Sequence, residues 1–151
     1  MSDKSTLQKL LDLTQKQSDD SARKLGKLNF QHQEAEKKLN LLLQYRESYQ
    51  ARLQNAAQNG IDHIQWQNFI TFIKKLDAAI SEQKLAVKHA ENNRDSGKNE
   101  YQSYQRKFNS YDTLSQRYQT IEKLKHKKSE QKELDEFTSN RYSRHTSNTA
   151  K

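Results

Sequence analysis

Two heptad stripes run for most of this chain and meet at a single Asn59-Gly60 break. Nothing else in the sequence constrains the fold as strongly. Proline is absent, and Gly26 and Gly97 stand alone, so only the Asn-Gly pair carries the chemistry that stops a helix. The first stripe alternates steps of four and three through Leu7, Leu11, Thr14, Ser18, Ser21, Leu25, Leu28, His32, Ala35, Leu39, Leu42, Arg46, Tyr49, Leu53 and Ala56. The second runs from Trp66 through Phe69, Ile73, Leu76, Ile80, Gln83, Val87, Ala90, Arg94, Gly97, Tyr101, Tyr104 and Phe108 to Tyr111. This spacing is that of a helix facing another helix along a narrow seam.

The pattern predicts an all-α chain: one long two-helix antiparallel coiled-coil hairpin with an overhanging second helix. The first helix reads from about 5 to 58, the turn occupies 59–61, and the second helix reads from about 63 to 137. Residues 1–137 then form a single hairpin domain, and Thr138-Ser139-Asn140 opens a polar tail, 138–151, expected to be disordered. Ser5 with Gln8 is a candidate capping box. Asn59-Gly60 tolerates positive φ, and Asp62 with Gln65 can cap the second helix between the staple residues Ile61 and Trp66. A short turn makes the helices antiparallel neighbours. At 1.5 Å per residue the helices would span roughly 80 and roughly 110 Å, so the second overhangs the first.

Composition agrees with a seam rather than a rounded core. Hydrophobic residues make up 31% of the chain, against about 45–50% in globular domains. Two residues in seven suffice for a coiled-coil seam, and the strict periodicity argues against disorder. Folding at 59–60 sets small residues against large ones. Ser18 and Thr14 would face Tyr101 and Tyr104, Leu11 would face Phe108, Leu39 would face Ile80, and Leu53 would face Trp66. Matched volumes within one chain predict an elongated monomer.

There is no cysteine, hence no disulfide or thiolate site. No apolar run is longer than the three residues of Leu41-Leu42-Leu43, and Met1-Ser2-Asp3-Lys4 has no signal-peptide character, so a cytoplasmic protein is expected. A net charge of +8 favours an acidic partner. His32, His63, His89, His126 and His145 are scattered without metal-site spacing, and the glycines form no phosphate loop. A two-helix chain also lacks the enclosed pocket that raises a catalytic pKa. No catalytic residue, metal or cofactor is therefore expected. The basic run Lys123 to Lys132 leaves a nucleic-acid-binding or scaffold coiled coil as the alternative, although Glu122, Glu130 and Glu133 interrupt it. A membrane-surface tether would need a broad apolar face opposite a basic one, which neither helix has.

Two faces carry apolar residues beyond what a seam needs. In heptad terms Leu42 and Tyr49 are d positions with Tyr45 at g, and Leu76 is d with Phe72 and Ala79 at g. The g positions of antiparallel helices share a side, so Leu42, Tyr45, Tyr49, Phe72, Leu76 and Ala79 form one flank. Tyr45 should neighbour Phe72, and Lys38 should neighbour Ala79. These residues either widen the seam or present a patch to a partner. Beyond Tyr111 the apolar steps slip to Leu114, Tyr118 and Ile121. With no first-helix partner expected there, that stripe, rimmed by Lys123, Lys125, Lys127 and Lys128, is a second candidate face or else a solvated charge run.

With hairpin, turn and flank in place, the chain resembles the flagellar export protein FliJ family. The resemblance runs from Leu7-Leu10-Asp12-Leu13 and Asp19-Asp20-x-Ala22-Arg23 to Gln131-Lys132-x-Leu134-Asp135-Glu136-Phe137. Its most specific stretches are Leu42-x-x-Tyr45-x-x-x-Tyr49, Asn59-Gly60-Ile61 and Trp66-x-Asn68-Phe69-x-x-Phe72-Ile73-x-x-Leu76. The resemblance implies a non-enzymatic part of the flagellar type III export apparatus, needed for motility and similar to the central stalk of rotary ATPases. It implies three partners: the hexameric export ATPase, the transmembrane export gate and substrate chaperones. It also implies peripheral association, through protein contacts, with the cytoplasmic face of the inner membrane. The gate contact would fall on Leu42, Tyr45, Tyr49, Phe72, Leu76 and Ala79. The ATPase contact is expected on Leu114, Tyr118, Ile121 and Lys125, from the geometry of the open end. Lys38 and Gln83 depart from the family pattern, where some members have glutamine and histidine.

Overall fold

The computed structural model describes residues 2–149, with side chains over 3–147. Two helices account for it: α1 (Ser2–Asn59) and α2 (His63–Thr149). Their fold class is the all-α helical hairpin expected from the stripes. The reversal between them is built as its residues dictate. Gly60 takes a φ of 84°, and its N–H points to Ala57 O at 3.4 Å. Asp62 Oδ1 then accepts the Gln65 N–H at 2.8 Å, capping α2, and Asp62 O accepts the Trp66 N–H at 3.1 Å as the helix begins.

The helix ends differ from the sequence reading. Already at Ser2 α1 is helical, so Ser5 lies inside it, and Gln8 Nε2 donates to Asp12 Oδ1 at 3.0 Å instead of serving a capping box. Asp3 occupies the first turn, where a negative charge favours the helix dipole. At the other end α2 continues past Phe137 to Thr149, so residues 138–149 are helical and not an irregular tail. No glycine or proline follows Gly97. Polar residues such as Thr and Asn lower helix propensity by only a few tenths of a kcal/mol each. The last two residues lie outside the described part.

The chain divides into two compact units, one made of residues 16–105 and the other of the segments before and after it. Within the 16–105 unit the two helices run antiparallel on either side of the reversal. Every first-stripe residue from Ser18 to Ala56 is buried or half-buried, as is the second stripe from Phe69 to Tyr104. Leu53, Leu76 and Ile80 are the buried apolar residues of this unit. Each such side chain contributes about 1.5–3 kcal/mol when fully buried.

Much of the remaining seam is polar and is satisfied by specific bonds. Gln105 Nε2 donates to Ser18 Oγ at 2.7 Å and to Tyr101 Oη at 3.1 Å. Gln83 Nε2 donates to Ala35 O at 2.9 Å. His32 is buried between helices, with Nδ1 3.4 Å from Arg94 Nη1 and Nε2 3.3 Å from Glu36 Oε1. Arginine can only donate, so Nδ1 accepts and Nε2 carries the proton toward Glu36. Ser21 Oγ has no partner among the described residues. Ion pairs Lys24–Glu100 and Arg46–Asp77 flank the seam.

The register sits about one helical turn from that given by folding at 59–60. Phe72 stacks on Tyr49, with ring centroids 4.2 Å apart, where Tyr45 was the expected neighbour. Trp66, expected on the seam opposite Leu53, is 42% exposed. Both follow from one cause. The irregular backbone extends through Asp62, so the centre of the reversal lies beyond Gly60 and the first turn of α2 stands past the closed seam.

In the other unit Leu7, Leu11 and Thr14 are buried, and Phe108, Tyr111, Asp112 and Ser115 are half-buried. Lys4 Nζ meets Glu122 Oε2 at 2.9 Å, so α1 accompanies α2 as far as Glu122. From Gln116 through Ser147 every described residue is exposed.

Gly97 is buried in the seam of the 16–105 unit, against Leu28 of α1. A Cβ there would lie 2.6 Å from Leu28 Cδ1. Gly97→Ala is expected to shift stability by less than about 1 kcal/mol, because its gain in helix propensity offsets the displacement of a flexible leucine tip. Gly97→Leu has no room and is expected to destabilise by about 1–3 kcal/mol. Denaturant unfolding of the two variants checks this. Equal losses would mean that Leu28 cannot move.

Candidate partner-binding sites

The surface offers side-chain faces and shallow, open concavities. Among the described residues no group of three or more His, Cys, Asp or Glu could hold a metal ion. No described helix is long and apolar enough to cross a membrane.

The flank in the 16–105 unit separates into two kinds of residue. Leu76 is buried and belongs to the seam, while Leu42, Tyr49 and Ala79 are half-buried. Tyr45 and Phe72 are the exposed members, at 53% and 39%. Helical spacing explains the split, since d positions point into the partner helix and g positions stand beside it. Tyr49 links the two roles. Its ring lies 4.2 Å from Phe72 and 5.6 Å from Phe69, and the Arg52 guanidinium sits 5.9 Å from its centroid. Phe72 is thereby held against a ring partner while part of it stays open to solvent. A groove lined by Tyr49, Ala56, Ile61, Gln65, Asn68 and Phe69 continues this apolar surface toward the reversal. Arg46, in contact with Asp77, holds its charge more firmly than an isolated arginine because of that hydrogen bond and the facing carboxylate. Gln83, the departure from the family pattern noted above, serves the seam through its bond to Ala35 O.

The second face lies on α2 in the other unit. Leu114, Tyr118 and Ile121 are 41%, 40% and 48% exposed, and Lys123, Lys125, Lys127 and Lys128 are exposed. The slip expected from the sequence is present, since Ser115, not Leu114, continues the seam. The expectation that no first-helix partner remains there needs correction. Lys4 reaches Glu122, so α1 runs beside this stripe and leaves it only partly uncovered. Sequence reasoning stopped short of Leu134 and Phe137, 59% and 64% exposed, which line a concavity with Glu130 and Glu133. Their i, i+3 spacing was the available signal. His126 Nε2 lies 3.1 Å from Glu130 Oε1 at the edge of this patch.

The family model for the flagellar FliJ protein matches residues 3–147. The chain belongs to the flagellar FliJ family. The flagellar FliJ protein of Salmonella typhi is 30% identical over 137 residues, covering 91% of this chain and 93% of that protein. The flagellar FliJ protein of Escherichia coli (strain K12) is 29% identical over the same length and coverage. The FliJ match takes in both faces, so neither lies on an appendage foreign to the family.

Glu122 gives this part of the chain a measurable handle. Hydrogen bonding from Lys4, reinforced by its charge, holds the Glu122 carboxyl below the usual carboxylate range. A lowered folded-state value contributes stability above the ordinary range, lost as pH falls through the lowered value. An NMR titration should find the Glu122 midpoint below that of an unpaired glutamate, and Lys4→Ala should raise it. A midpoint indifferent to Lys4→Ala would mean that the pair does not form in solution.

Proposed function

We propose that this FliJ-family chain is a non-enzymatic component of the flagellar type III export apparatus that couples the hexameric export ATPase to the transmembrane export gate and receives substrate chaperones. It works at the cytoplasmic face of the inner membrane, associated there through protein contacts. The observation that carries the reading is the exposed pair Tyr45 and Phe72 standing beside a closed seam. Large rings left open while Leu76 next to them is buried are suited to docking rather than to holding the hairpin together. The gate contact is thus Tyr45 and Phe72, supported by Leu42, Tyr49 and Ala79, with Leu76 maintaining the backbone beneath them.

The ATPase contact is Leu114, Tyr118 and Ile121, with Lys125 among the rim charges. A ring with a narrow central hole accepts a two-helix segment, the apolar stripe supplies non-directional contact, and lysines steer it toward acidic loops. Association through this face should therefore weaken as salt rises.

Tyr45→Ala with Phe72→Ala should leave helicity intact and weaken gate binding more than tenfold, since burying one such ring on docking is worth about 1.5–3 kcal/mol. Circular dichroism and a gate-binding titration read the two effects apart. A double variant that unfolds at room temperature would assign these rings to the seam and remove the gate reading. Alanine at Leu114, Tyr118 and Ile121 together should reduce stimulation of the ATPase while sparing gate binding. Full stimulation by that variant would move the ATPase contact elsewhere.

A further inference from the structure

We infer that Asn59 is a site of spontaneous backbone rearrangement, converting to aspartate and isoaspartate at the one irregular point of the described backbone. The inference rests on the reversal alone and is independent of the proposed function. Asn59 is the last residue of α1, is exposed, and is followed by Gly60. The attacking atom in this chemistry is the Gly60 backbone nitrogen. Its N–H is held only by the long 3.4 Å bond to Ala57 O. Space around Gly60 is open, for a Cβ there would meet nothing within 4 Å. A glycine in this position also gives the backbone the freedom to bring nitrogen and carboxamide together.

The step balances with water as the only co-reactant. Gly60 N loses its proton to solvent base and bonds to Asn59 Cγ, while the carboxamide C–N bond breaks and ammonia leaves. Water then opens the succinimide ring at either carbonyl, giving aspartate or isoaspartate. Every other described asparagine lies within α1 or α2 and is followed by a residue bearing a side chain, as at Asn29-Phe30, Asn92-Asn93 and Asn109-Ser110. Helical hydrogen bonding holds those backbones away from the required geometry.

Both products act on the reversal. A carboxylate at residue 59 adds negative charge at the C-terminal end of α1, where the helix dipole disfavours it. Isoaspartate also routes the main chain through the side chain, adding a carbon to the segment that leads into the Asp62 cap. Ile61 lies in that segment and lines the groove shared with Tyr49 and Phe69. Rearrangement at Asn59 should therefore loosen packing around the aromatic cluster.

The test incubates the purified full chain at mildly alkaline pH and physiological temperature, beside Asn59→Gln and a sample kept cold and mildly acidic. Peptide mapping by mass spectrometry should find the amide-to-acid mass gain in the peptide containing Asn59, with isoaspartate detected by its specific methyltransferase. The aged wild-type chain should lose near-ultraviolet aromatic signal, and aged Asn59→Gln should keep it. An unchanged Asn59 peptide, or conversion spread over the helical asparagines, would overturn the inference. Conversion at Asn59 with an unaltered aromatic signal would overturn the predicted link to the groove.

Discussion

The reversal at Gly60 to Asp62 sets everything else in the 16–105 unit. Two helices with no other break can pair in many registers, each a turn apart and each burying a similar share of apolar surface. A short turn removes that freedom. Gly60, at a φ of 84°, ends α1, and Asp62 caps α2 through the Gln65 N–H, so the count of residues between helices is fixed by chemistry. The pairing of Phe72 with Tyr49, of Asp77 with Arg46 and of Glu100 with Lys24 follows from that count.

Given the register, the seam must be filled from two narrow stripes, and this chain fills it unusually with polar groups. Ser18, Ser21, His32 and Gln83 are buried alongside Leu53, Leu76 and Ile80. A buried polar atom without a partner costs about 1–3 kcal/mol. The bonds of Gln105 to Ser18, Gln83 to Ala35 and Arg94 to His32 remove most of that penalty. They are also register-specific, because a one-turn slip would leave these groups unpaired. Apolar contacts supply stability with little discrimination between registers, and the polar layers supply discrimination. Gly97 adds a steric term of the same kind, since any side chain there must displace Leu28.

Legibility followed the strength of the periodic signal. The stripes located nearly every buried position, because a helix-helix seam imposes a spacing that polar residues such as Ser18 and His32 obey as strictly as leucines do. The break and the Asp62 cap were legible because positive φ and capping demand particular side chains. Register was missed by about a turn, since folding was centred on 59–60, whereas the irregular chain runs on through Asp62 and moves the centre of the reversal beyond Gly60. Trp66 was misplaced for the same reason. The extent of α2 was underestimated because polarity after Phe137 resembles a loop, whereas a helix needs only the absence of a breaker. For the flank, the heptad positions already set Leu76 at d and Phe72 at g, which is how burial divides them, whereas Ala79, also at g, is half-buried.

That distinction bears on how exposed side-chain faces can carry a function. A side chain that docks a partner must be held in place before the partner arrives, or its ordering entropy is lost on binding. Phe72 meets this requirement through Tyr49, which is anchored in the seam and stacks on one side of the exposed ring. Tyr45 stands on the same flank one turn before Tyr49 on α1 and is more open. The Leu114, Tyr118 and Ile121 stripe has a different support, the neighbouring first turns of α1 tied by Lys4 to Glu122. An exposed ion pair of this kind is weak and screened by salt. The two faces should thus differ in character: one pre-organised by aromatic packing, the other adjustable and electrostatically steered.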